Sequence, residues 1–142
     1  MDSMAERPTI LVVDDTPDSL AVLRSMVEMH GYRARTASSG RQALDLLQSE
    51  IPDAILLDVM MPEMSGLEVL QRIKSTPSMA HVPVILVTAK THDDDVMNGY
   101  QHGADYYITK PCTAKQLNFG LEMVLGKPKS SDASDGESGD LA

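Results

Sequence analysis

Short, continuous apolar runs rich in β-branched residues recur along this chain, and they constrain its fold more than any other feature. Thr9–Val13 (TILVV), Ala54–Leu57 (AILL) and Val82–Val87 (VPVILV) each have the length of a strand. None shows the polar alternation of a strand with one face in water, so each reads as a strand buried on both faces. Tyr32–Thr36 and Asp105–Ile108 are half polar and belong nearer the sheet edges.

Helix signals fall between these runs. Thr16-Pro17 supplies an N-cap residue and a proline at the first helical position, Leu20, Leu23 and Val27 form one stripe, and Gly31 ends the helix. Ser38 or Ser39 can cap a second helix that turns Ala43, Leu44 and Leu47 inward. Gly66–Lys74 carries Leu67, Leu70 and Ile73, and Thr113 can cap a last helix with Leu117, Leu121, Val124 and Leu125 inward. Residues 92–102 make the weakest helix, because Gly99 lowers helix stability by about 1 kcal/mol relative to alanine. Five repeats of strand then helix imply right-handed crossovers, hence a doubly wound α/β fold: a five-stranded parallel sheet with five helices on its two faces.

Composition divides the chain. Residues 127–142 (KPKSSDASDGESGDLA) hold one large aliphatic side chain, Leu141, too little to offset the entropy of ordering. They are expected to be a disordered acidic, serine-rich tail, residues 1–7 a flexible N-terminus, and residues 8–126 the folded domain. Of the net charge of −9, the tail holds four acids and two lysines, leaving −7 on residues 1–126. An acidic domain offers no electrostatic footprint for nucleic-acid phosphates. Its single cysteine, Cys112, excludes an internal disulfide and suits a reducing cytosol. No secretory signal or apolar stretch of membrane-spanning length is present in the sequence, so the expected location is cytoplasmic, with no membrane partner. The four histidines lack metal-ligand spacing.

In parallel α/β sheets ligands bind at the carboxyl ends of the strands. There the first strand is followed by Asp14-Asp15, the third by Asp58, the fourth by Thr88 and the fifth by Lys110. Three carboxylates, a hydroxyl and an ammonium thus converge. Clustered carboxylates call for a cation, and hard oxygen ligands suit Mg²⁺, with Mn²⁺ a possible substitute. Phosphoryl transfer is mostly positioning and charge neutralisation. Asp58, in the middle, is the natural nucleophile, with Lys110, Thr88 and the metal each taking a phosphoryl oxygen. Ala89 leaves open space for the entering group.

ILVVDD at 10–15, ILLDVMMPEMSGLEVLQRIK at 55–74, VPVILVTA at 82–89 and GADYYITKP at 103–111 resemble the receiver domains of two-component response regulators, over nearly all of residues 9–126. The resemblance implies a CheY-like (flavodoxin-like) sheet of order 2-1-3-4-5. It also implies a phosphorelay switch in which Asp58 accepts a phosphoryl group from a sensor histidine kinase, a phosphotransfer protein or a small phosphodonor. By the same pattern Asp15, Asp58 and the main-chain carbonyl of Met60 hold Mg²⁺ directly, Asp14 acts largely through water, and Lys110-Pro111 is a cis peptide. Tyr107 matches the aromatic that moves inward when Thr88 shifts toward the phosphate, altering a face that runs from the fourth strand to the fifth helix and meets a downstream protein. Met60 and Lys90 flank the path of the hydrolytic water. Because Met60 has no polar group to orient that water, self-dephosphorylation is expected to be slow. Cys112 stands where the family often has a large hydrophobe, and it is expected to act as a small one.

Haloacid-dehalogenase-like phosphatases use similar groups, but they place a second aspartate where Met60 stands and carry a cap domain. The chain is therefore expected to catalyse nothing beyond its own phosphorylation and dephosphorylation. A phosphorylation-independent interaction module on the same fold is a further alternative, against which the intact set Asp14, Asp15, Asp58, Thr88 and Lys110 counts. No winged helix, helix-turn-helix or enzymatic domain is expected in residues 127–142. The expectation is a stand-alone regulator, monomeric or dimerising on phosphorylation, and the alternative is a receiver cut from a longer response regulator.

Overall fold

A computed structural model describes residues 7–89 and 103–126. Five strands, β1 (Thr9–Val13), β2 (Arg33–Ala37), β3 (Ala54–Leu57), β4 (Val84–Thr88) and β5 (Tyr106–Thr109), form one sheet of order β2-β1-β3-β4-β5. Every pairing in it is parallel. The described helices are α1 (Pro17–Met29), α2 (Gly40–Ser49), α3 (Gly66–Ser75) and α4 (Ala114–Leu125). The helix expected over 92–102, Lys90 and the tail from residue 127 lie outside the described residues, as do residues 1–6 of the N-terminal segment.

Strand alternation sorts the core into two layers. Leu11, Val13, Ile55, Leu57, Val84 and Leu86 face α2 and α3, where they meet Ala43, Leu47, Val69, Leu70 and Ile73. Ile10, Val12, Leu56, Ile85, Val87 and Ile108 face α1 and α4, against Leu23, Val27, Leu117 and Leu121. Each fully buried Leu or Ile contributes about 1.5–3 kcal/mol by leaving water. The edge strands are wetter, as expected: β2 is buried only at Ala37 and β5 only at Ile108.

Local signals account for most boundaries. The Ser39, Ser65 and Thr113 side chains accept from the main-chain N–H groups of Gln42, Glu68 and Gln116, and Thr113 forms a full capping box with Gln116. Thr16 stands at the N-cap of α1 but its side chain makes no capping bond; its N–H is taken by Asp14 Oδ1 at 2.9 Å instead. In α3 the buried stripe is Val69, Leu70 and Ile73, with Leu67 only partly covered, because the helix turns 69 toward the sheet rather than 67.

Tyr32, at the entry to β2, is 5% exposed, and its hydroxyl finds no hydrogen-bond partner among the described residues. Burial, with the nearby Glu122 carboxylate adding to it, holds this phenol above its ordinary pKa. A buried, unsatisfied hydroxyl costs roughly 1–3 kcal/mol. Tyr32→Phe is therefore expected to raise stability by about 1 kcal/mol, read as a higher denaturation midpoint at unchanged m-value.

Candidate active site

The hydrogen-bond ladder sets the site. Val13 pairs in register with Leu57, and the Asp58 N–H donates to the Val13 carbonyl at 3.0 Å. Asp14 and Asp58 therefore leave neighbouring strands at one height. Asp14 is fully buried, Asp58 is 5% exposed, and Asp15 lies between buried and exposed. One carboxylate oxygen of each falls within 4.8 Å of the other two.

On the far side of the sheet, Thr88 pairs with Thr109, so Ala89 and Lys110 also leave their strands together. The Lys110 ammonium reaches Asp14 Oδ2 at 2.6 Å and Asp58 Oδ2 at 3.7 Å. Asp14 is further held by Thr16 N–H on Oδ1 and by the Ser19 hydroxyl, which donates to Oδ2 at 2.6 Å. Its carboxylate is thus largely engaged by the protein, whereas Asp15 is the more open of the pair. The Met60 N–H donates to Asp58 Oδ1 at 3.2 Å, and the Met60 side chain is exposed.

Electrostatics at Asp58 follow from this crowding. Burial pushes its carboxyl above the ordinary aspartate range, Lys110 pulls it back, Asp14 raises it, the Met60 N–H lowers it, and Asp15 raises it again. Burial and the two neighbouring acids outweigh the single ammonium. The gathered carboxylate oxygens carry more negative charge than the one ammonium offsets, which suits a hard divalent cation.

Two features were not read from the sequence. Ser19 sits in the first turn of α1, aimed back at Asp14; its only sequence signal is a hydroxyl one turn past the acid pair. Gly66 starts α3 against the strand that ends in Asp58: a Cβ there would stand 2.1 Å from the Asp58 carbonyl oxygen. Glycine alone lets the helix approach the Asp58 backbone so closely.

The other expected residues are distributed as follows. The Lys110-Pro111 peptide is cis. Tyr107 packs on the α2/α3 layer and Tyr106 on the opposite one, its ring 6.3 Å from that of Phe119. Thr88 closes β4, but its side chain is outside the described residues. Ala89 lines an open cavity of about 440 Å³ with Lys110, Pro111, Cys112, Val22 and Met26. Burial raises the Cys112 thiol above its ordinary value, which keeps it protonated and apolar in character. No described helix is long and apolar enough to cross a membrane.

Residues 10–122 match the model of the response regulator receiver domain. A probable cyclic di-GMP phosphodiesterase of Vibrio cholerae is 40% identical over 124 residues, 87% of this chain and 28% of that protein. The transcriptional regulatory protein AfsQ1 of Streptomyces coelicolor is 38% identical over 128 residues, 89% of this chain and 56% of that protein. The chain thus spans little more than half, or less, of these relatives' lengths. Among solved structures, the receiver domain of a Pseudomonas aeruginosa sensor histidine kinase, with a magnesium ion coordinated in its active-site cleft, superposes with a TM-score of 0.79 at 30% identity, covering 85% of this chain and 99% of that one. A family match of this extent, on a sheet of this order with its acids gathered at one edge, makes the chain a member of the response regulator receiver domain family.

Proposed function

We propose that this receiver domain is an Mg²⁺-dependent phosphoacceptor switch whose nucleophile is Asp58. The observation that carries the reading is the Lys110 ammonium, which bridges Asp14 and Asp58 from the far side of the sheet. An Asp58 oxygen attacks the phosphorus of a phosphohistidine or small phosphodonor. The new O–P bond forms as the P–N bond, or the donor's leaving-group bond, breaks. Lys110 stabilises charge on the phosphoryl oxygens, and Thr88 completes the set. Asp15, Asp58 and the Met60 carbonyl would hold the metal, which when bound neutralises the carboxylates and the incoming phosphoryl group. Asp14, already engaged by Lys110, Ser19 and Thr16, fits an indirect role. Ala89 borders the cavity through which the donor approaches.

The donor is a sensor histidine kinase or phosphotransfer protein in the cytoplasm. The output is a Thr88–Tyr107 rearrangement that changes the face from β4 to α4 for a downstream protein. In this reading the folded unit is residues 8–126.

Incubation with Mg²⁺ and acetyl phosphate is expected to add one phosphoryl group, seen by intact mass. Asp58→Asn should remain unmodified, and Lys110→Ala should react about a hundredfold more slowly. A parent protein that gains no mass would overturn the reading.

The raised Asp58 pKa has a stability consequence. Between the ordinary aspartate range and the raised value, the folded state binds more protons than the unfolded chain, so metal-free stability falls as pH rises through that window. Asp58→Asn removes the charge and should melt higher than the parent at neutral pH without metal. Added Mg²⁺ should raise the parent's melting temperature and barely move that of the variant. Chelation of Mg²⁺ should also stop phosphorylation.

The exposed Met60 thioether offers no donor to orient a hydrolytic water. Met60→Asn is expected to lose its phosphoryl group several-fold faster than the parent, and equal decay rates would refute slow hydrolysis as a property of this side chain.

A further inference from the structure

At the opposite end of the sheet from Asp58, Lys74 and Asp105 form a node that the phosphoacceptor chemistry does not use. Lys74 is in the last turn of α3, and its side chain is only 20% exposed. Its ammonium donates to the Val82 carbonyl at 2.8 Å, the Ala80 carbonyl at 3.2 Å and Asp105 Oδ2 at 3.3 Å. Asp105 directly precedes β5 and grips both main-chain groups of Val84, the first residue of β4. Its Oδ2 accepts from the Val84 N–H, and its own N–H donates to the Val84 carbonyl, each at 2.9 Å. Gly103 lies on the lysine stem, where a Cβ would approach Lys74 Cγ to 3.0 Å.

Among the described residues the same device is found at a second strand. Asp53, directly before β3, accepts from the Thr9 N–H and donates its N–H to the Thr9 carbonyl, at 2.7 and 2.8 Å. The two strands differ in support. β3 is paired on both sides, by β1 and β4, whereas β5 is paired with β4 alone. An edge strand of four residues, fully buried only at Ile108, depends more on such a pin to hold its register.

Five residues beyond Asp105 stands Lys110, whose ammonium must reach across to Asp14 and Asp58. Extended chain of that length is a strut of about 16 Å. Displacement at its foot is therefore delivered to its tip. We infer that Lys74 and Asp105 are positioning residues for phosphoryl transfer: by pinning the foot of β5 to α3 and β4, they hold Lys110 at the Asp14–Asp58 pair. The inference rests on the phosphoacceptor reading for its kinetic consequence, while the clamp itself can be measured without it.

Lys74→Met removes the ammonium and keeps most of the stem; Asp105→Asn is the milder partner, retaining an acceptor for Val84. Two measurements on the full chain decide the matter. Amide hydrogen exchange at residues 106–109 should accelerate at least tenfold in Lys74→Met, with exchange in β1 and β3 unchanged. With acetyl phosphate as donor, the maximal rate of Asp58 phosphorylation should fall by about tenfold, while the Mg²⁺ concentration for half-maximal rate stays within twofold of the parent. In a Lys110→Ala background, the same substitution should change the residual rate by less than twofold, because its effect runs through Lys110. If Lys74→Met does not fold, Asp105→Asn is read by the same criteria, with smaller changes in the same direction.

Unchanged exchange in β5, or an equal fractional loss of rate with and without Lys110, would overturn the proposal. A parent protein that takes up no phosphoryl group would sink the phosphoacceptor reading and the kinetic half with it. The exchange result would still judge the clamp.

Discussion

Mutual repulsion among Asp14, Asp15 and Asp58 is the constraint around which the rest of this structure is arranged. Two unit charges separated by the 4.8 Å that bounds their oxygens repel by about 3 kcal/mol at an effective dielectric of 20. Free side chains would turn away from one another. Here they cannot, because β1 and β3 are locked in register by main-chain bonds between strands that are buried on both faces. The hydrophobic layers hold the acids together, and Lys110 offsets part of the cost. The remaining excess of negative charge suits a hard divalent cation.

Much of this was legible in the sequence because it follows from periodicity. β-branched runs marked β1, β3 and β4, the caps of Ser39 and Thr113 fell on expected hydroxyl residues, and the strand-end rule brought Asp14, Asp15, Asp58 and Lys110 into one cluster. What escaped was geometry that residue type does not encode. Ser19 looks like any hydroxyl in the first turn of a helix until its bond to Asp14 is seen. Gly66 reads as a helix-start glycine, yet its role is the absence of a Cβ beside Asp58. Thr16 carried a cap signal, but its side chain makes no capping bond, and its own N–H serves the site instead by donating to Asp14 two residues back. Lys74 and Asp105 stood within recognisable motifs without any sign that they would meet from 31 positions apart.

The two ends of the sheet use acids differently. At the carboxyl ends the aspartates face one another, three carboxylates sharing the single ammonium of Lys110. At the amino ends, Asp53 and Asp105 satisfy main-chain groups of an adjoining strand, which is a stabilising use of the same residue type. Concentrated charge and rigidity are thus drawn from one side chain placed at opposite ends of the strands.

The Lys110–Asp14 contact joins residues 96 positions apart, and this distance along the chain orders events during synthesis. The three carboxylates are all in place once the segment through Asp58 has emerged, whereas their ammonium arrives near the end of the domain. A chain made from its N-terminus forms early strands before late ones, and contacts of long sequence separation close last. A chain interrupted before Lys110 therefore carries the three acids without the ammonium that offsets part of their charge. On the phosphoacceptor reading, such a chain is expected to react with phosphodonors only at the residual rate of Lys110→Ala, so full reactivity comes as the last strand closes.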